Sequence, residues 1–152
     1  MMHFPHEDSR WVEWHNLLIE AQEKSGHTLI EPVEHYVLIT LDAYTAQLKL
    51  ATSALAIEFL ENVHVNHVRD FQKLRSVGDQ CLILAGLFPE RAIRKRVSRD
   101  YFTHLGENAY YILSYAQVPI HIDHSLFYLL SENFSDLVQV LQAMRWVNDR
   151  IQ

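Results

Sequence analysis

The chain has 152 residues, of which 49% are hydrophobic and 21% charged, and its formal net charge is −6. That describes one globular domain, large enough to bury about 70% of its unfolded surface. It excludes low-complexity and repeat architectures and, with a single cysteine, any internal disulfide, while four glycines and four prolines favour helices over many-turned β structure.

The opening stretch MMHFPHEDSR lacks the apolar core of a signal peptide, and no apolar run reaches the ~20 residues of a membrane span. A reducing compartment, the cytosol, is the expectation. The sequon at Asn133 would then go unused.

The first predicted helix starts near Asp8 or Ser9 and runs to Lys24, with Trp11, Trp14, Leu18 and Ala21 on one face. Ser25-Gly26 closes it, because glycine readily takes the left-handed conformation that ends a helix. A second helix begins at Pro32 and carries Val33, Tyr36, Val37, Leu41, Tyr44 and Leu48 at helical spacing. A bend or break near Thr52-Ser53 leads to a third helix with Leu55, Phe59 and Leu60. Residues 63–67 alternate too briefly for a strand and read as a connection.

The chain is organised around residues 74–111, which hold three of the four glycines, the cysteine, the most apolar run and the most basic run. Val68, Phe71, Leu74, Val77, Cys81, Ala85 and Phe88 mark one helical face. From Cys81 to Phe88 the helix is apolar all round, so it must be covered on every side, by this chain or by a second subunit. Pro89 ends the helix and opens a short one. Ser98 caps the next, with Asp100 in its first turn. That helix presents Phe102, Leu105, Ala109, Ile112, Leu113 and Ala116 on one face.

Each of Gly78, Gly86 and Gly106 costs its helix ~1 kcal/mol against alanine. Three such residues predict backbones in close approach, or else room for an apolar ligand between the helices. Asp79 has two readings as well. It forms an exposed ion pair with Arg75 four residues earlier, or it is a buried carboxylate with a raised pKa.

Here the chain resembles a group of bacterial all-helical proteins that carry no assigned activity. The resemblance rests on GD-x-C-L-x-L-A-G-L-F-P-E-R at 78–91 and Y-F-x-x-L-G-x-x-A-Y at 101–110, and extends to L-x-x-N-F-x-x-L-V-x-V-L-Q-A-M-R at 130–145. It implies a helical fold and no catalytic residues.

Residues 117–120 form a loop by virtue of Pro119. The last helix, or helix pair, starts near Asp123. Its residues Phe127, Leu130, Phe134, Leu137, Leu141 and Met144 make a heptad seam that serves as core or as a dimer interface. Ser131 or Ser135 is the expected cap if the helix restarts.

Three constellations bear on function. Glu61-x-x-His64, with Glu58 one turn earlier and His67 one turn later, has spacing used for iron in helical bundles. His64 and His67 with a distant third ligand would suit zinc, yet the second Glu-x-x-His of a di-iron site is missing, and His104, Glu107, His121 and His124 do not supply it. Arg91, Arg94, Lys95, Arg96 and Arg99 hold five of the thirteen basic residues, leaving eight bases against nineteen acids elsewhere. This segment suits a phosphate, an acidic partner or a second copy of the chain. The acidic remainder argues against nucleic acid. Tyr101, Tyr110, Tyr111, Tyr115 and Tyr128 belong at an interface or at the rim of a core.

The expectation is an all-α, single-domain bundle of five to seven helices, built on the glycine-bearing helix, the Ser98 helix and the heptad helix. Its function reads as a cytosolic, non-enzymatic binding or adaptor protein without a cofactor, with an unknown protein partner or a homodimer. The alternatives are an iron- or zinc-dependent enzyme using Glu58, Glu61, His64 and His67, and a binder of a small apolar ligand.

Overall fold

The computed structural model describes residues 8–44, 65–88 and 99–151. These contain six helices and no strand among the described residues: α1 Asp8–Ser25, α2 Glu31–Tyr44, α3 Val68–Leu87, α4 Arg99–Leu113, α5 His124–Glu132 and α6 Phe134–Ile151. The fold is the all-α bundle expected from the apolar spacing. None of the described helices is long and apolar enough to cross a membrane. The predicted helix at Leu55, Phe59 and Leu60, the short helix at Pro89 and the Ser98 cap lie outside the described residues.

Local chemistry explains the helix ends. Gly26 sits at φ 77°, a left-handed value that favours glycine, and its amide donates to Gln22 O at 3.0 Å. Gln22 itself is buried and fastens the α1–α2 turn. Its Oε1 accepts from the Leu29 amide at 2.8 Å and its Nε2 donates to Glu34 Oε2 at 2.7 Å. Asp123 begins α5, its side chain accepting from the Leu126 amide at 3.1 Å.

The central element is α3, which packs most extensively on α4 and also against α6 and α2. Every residue from Val77 to Gly86 is buried. The apolar run is therefore covered within this chain as far as Gly86, while Leu87 and Phe88 at its end are partly buried. On α4, Phe102, Leu105, Ala109, Leu113 and, just past its end, Ala116 are buried as the spacing predicts, while Ile112 of the same face is partly buried.

The three helical glycines do pack where helices meet, in the close approach that three such residues predict. Each accepts a large side chain. A Cβ on Gly78 would lie 2.8 Å from the Tyr110 ring of α4, and one on Gly86 would lie 2.5 Å from Leu141 Cβ of α6. A Cβ on Gly106 would collide with the Phe134 ring and crowd Cys81 Cβ. At Gly86 and Gly106 the facing Cβ atoms of Leu141 and Cys81 come near the backbone, and at all three glycines the missing side chain supplies the hollow that a ring or an isobutyl group fills.

The heptad residues Phe127, Leu130, Phe134, Leu137, Leu141 and Met144 are all buried in this same core. They belong to two helices, with the break at Asn133, whose amide N–H and Nδ2 both donate to Leu129 O. The expected serine caps are not used. Ser131 Oγ donates to Glu107 O at 3.2 Å and Ser135 Oγ to Glu107 Oε1 at 3.3 Å, so both bind α4 instead. A seam consumed by the chain's own core gives a dimer no surface there.

Candidate functional site

Where α2, α3 and α4 meet, a carboxylate is buried between two tyrosines. Asp79 of α3 is 3% exposed, and its Oδ1 accepts from Tyr36 OH at 2.7 Å and from Tyr110 OH at 2.6 Å. These are short, charge-assisted bonds. Tyr36 arrives from α2 and Tyr110 from α4. The hollow at Gly78 is what lets the Tyr110 ring lie against α3 and reach the next residue's carboxylate. The two tyrosine rings meet edge to face at 6.1 Å, and Phe127 of α5 closes on both at 5.9 Å and 6.1 Å.

Arg75, one turn before Asp79, completes the group. Its Nε donates to Tyr36 OH at 3.0 Å, and its guanidinium carbon lies 5.2 Å from the Tyr36 ring centre. The same Nε is 3.9 Å from Asp79 Oδ2, too far for a hydrogen bond. Asp79 is thus the buried carboxylate of the second reading, and the i,i+4 pair with Arg75 of the first is present but not exposed on the carboxylate's side. The geometry leaves Oδ2 without a hydrogen bond among the described residues, and the two terminal amino groups of Arg75 likewise.

A cleft of about 270 Å³ opens beside these atoms, between α2 and α3. Arg75 and Asp79 line it together with Thr40, Gln72, Ser76 and the apolar Ile39 and Ala43. The Thr40 hydroxyl is committed to Tyr36 O at 2.8 Å, and Ser76 Oγ accepts from Gln80 Nε2 at 2.8 Å. A second hollow of about 240 Å³ lies at the α1–α2 turn beside His27, Asn133 and Asp136.

Burial governs the protonation states. It pushes the Asp79 carboxyl up to about 6, although both tyrosine hydroxyls and Arg75 favour the charged form. Burial first, and then the Asp79 charge, hold Tyr36 and Tyr110 well above the usual phenol range, so both remain donors at neutral pH. For Arg75 the cost of burial is outweighed by Tyr36 and Asp79, and its pKa rises. Burial, with a smaller contribution from Asp79, pushes the Cys81 thiol up to about 12 and leaves it unreactive.

Of the residues singled out in the sequence, Glu58, Glu61 and His64 lie outside the described residues. His67 is exposed and precedes α3. Among the described residues no three His, Cys, Asp or Glu side chains are grouped to hold a metal. His104 faces Glu107 at 3.7 Å, and His124 Nε2 lies 2.7 Å from Ala116 O. Arg91, Arg94, Lys95 and Arg96 also lie outside the described residues, while Arg99 is the first residue of α4. The spaces beside Gly78, Gly86 and Gly106 are filled by Tyr110, Leu141 and Phe134, which leaves no room for an apolar ligand there. Among the five tyrosines Tyr110 is fully buried, while Tyr111, Tyr115 and Tyr128 are about half exposed.

Sequence reasoning missed Tyr36 and Tyr110 as partners of Asp79. They lie 43 and 31 residues away along the chain; Tyr36 reads as one position of an apolar face and Tyr110 as one of a cluster at an interface or the rim of a core. The one local signal was a glycine directly before an acidic residue on a helix about to become wholly apolar.

Comparisons with protein-family models, with curated proteins and with solved structures found no match to this chain.

Proposed function

We propose that the chain is a non-enzymatic binding protein that recognises an anionic group at the cleft between α2 and α3. The observation that carries this reading is Arg75. Its Nε is spent on Tyr36 OH, while its two terminal amino groups stay unpartnered among the described residues, in a side chain 44% exposed at the cleft. A guanidinium anchored at one nitrogen presents a pre-set pair of donors, which matches a carboxylate or phosphate with little loss of side-chain freedom. Binding is favoured over catalysis because the Thr40 and Ser76 hydroxyls are engaged elsewhere and neither is paired with Asp79. The basic segment from Arg91 to Arg99 is a second anchor of the same kind for an acidic partner.

The test is a titration of isotope-labelled protein with sodium acetate and sodium phosphate at constant ionic strength. The expected result is a saturable shift of the Arg75 Nε–H signal with either anion, together with saturable amide shifts at Thr40 and Ser76 that are lost in Arg75→Gln. A response that only grows linearly with salt, or none at all, would refute the reading. Charge reversal at Arg91, Arg94 and Lys95 tests the basic segment separately, through capture of an acidic partner.

A further inference from the structure

We infer that the cleft takes a small carboxylate carrying a hydroxyl or ammonium on the adjacent carbon, that is, a 2-hydroxy or 2-amino acid. Its carboxylate lies on the terminal amino groups of Arg75 and its neighbouring donor on Asp79 Oδ2. This deepens the anion-binding reading above and rests on it.

Asp79 carries the argument. The residue is 3% exposed and lines the cleft, yet only Oδ1 is hydrogen-bonded. Oδ2 is an ionisable acceptor that opens on the cleft and takes no donor from the described residues, so a ligand there can supply one. A bare carboxylate bound to Arg75 would set a second negative charge beside it. A ligand with a donor next to its carboxylate meets both points at once, because the donor lies between the two anions and satisfies Oδ2.

Spacing and size agree. Arg75 lies one turn before Asp79 and both line the same cleft, so the donor and acceptor sites belong to one hollow, as the two groups belong to one small ligand. A cleft of about 270 Å³ corresponds to roughly nine waters at about 30 Å³ each. That admits a short acid. Ile39 and Ala43 give an aliphatic side chain an apolar wall.

Propionate, lactate and alanine form a matched set: no donor, a hydroxyl and an ammonium on one three-carbon frame. The test is calorimetric or NMR titration of the full chain with each. A hydrogen bond to a charged partner predicts that lactate or alanine binds at least about tenfold tighter than propionate at pH 7.5. Asp79→Asn should shrink that preference to within about twofold, while Arg75→Gln weakens all three ligands at least about tenfold.

The preference should also shrink at pH 5, where Asp79 takes up a proton. Among the described residues the titratable groups facing Asp79 are Tyr36 from α2, Tyr110 from α4, and Arg75 and Cys81 from α3. Among the described residues of α5 and α6, the apolar rings of Phe127 and Phe134 are what reach the tyrosines.

Equal affinity for the three acids would overturn this inference and leave anion recognition standing. No saturable binding of any of them, with acetate and phosphate also silent at Arg75, would overturn both. Binding that survives Arg75→Gln unchanged would place the ligand elsewhere and also defeat the proposal.

Discussion

Replacing Asp79 with asparagine changes its charge while keeping its shape. The amide oxygen can accept from Tyr36 and Tyr110 as Oδ1 does now, at 2.7 Å and 2.6 Å. Burial raises the carboxyl from 3.8 to about 6. The folded chain therefore holds this proton more tightly than the unfolded chain does. Between pH 3.8 and about 6 the folded state binds more protons, so this group's contribution to stability falls as pH rises through that window. At about 1.36 kcal/mol per pH unit, the ionised carboxylate costs about 3 kcal/mol above the window relative to below it. Asparagine never ionises and escapes this cost. The stability of Asp79→Asn relative to the parent should thus improve by about 3 kcal/mol between pH 3.5 and pH 7. Urea unfolding followed by far-ultraviolet circular dichroism measures both proteins at each pH, and groups common to both cancel in the difference. Parallel stability curves across the whole range would refute the reasoning, because they would mean that Asp79 is not desolvated in the fold.

Tyr110→Phe removes one of the two donors to Asp79 and should cost about 1–3 kcal/mol at neutral pH in the same unfolding assay. It should also raise the pH at which Asp79 titrates, since the Tyr110 hydrogen bond favours the charged form. Gly106→Ala drives a Cβ into Phe134 and Cys81, and overpacking of that kind costs about 1–3 kcal/mol, against ~1 kcal/mol of helix propensity gained. A net loss of a few degrees in melting temperature is expected, and a gain would show that the hollow is not tight. Gly26→Ala meets no atom within 4 Å and suffers only its φ of 77°, so about 1–2 kcal/mol is expected there with no change in the core. Cys81, held near 12 and 3% exposed, should resist maleimide in the native protein and react fully in denaturant. Rapid native labelling would contradict its burial.

Much of this architecture was legible in the sequence, because helix formation is a local matter. Apolar residues stepping by three and four located α1, α2, α3, α4 and the α5–α6 region. Gly26 marked the end of α1 and Asp123 the start of α5 through the chemistry of a few neighbouring atoms. An uninterrupted apolar run could only belong to a helix covered on all sides, and α3 is that helix. The glycines announced crowding, but not which side chains would fill the hollows. The heptad spacing read equally well as one helix or two, and Asn133 settled it through bonds to Leu129 while Ser131 and Ser135 turned to α4. The carboxylate site belongs to the tertiary structure alone. Tyr36, Asp79 and Tyr110 come from three helices, and their meeting depends on how those helices cross. Hydrogen bonds within a helix join residues four apart and so leave a period in the chain. Those that join residues 31 and 43 apart leave none.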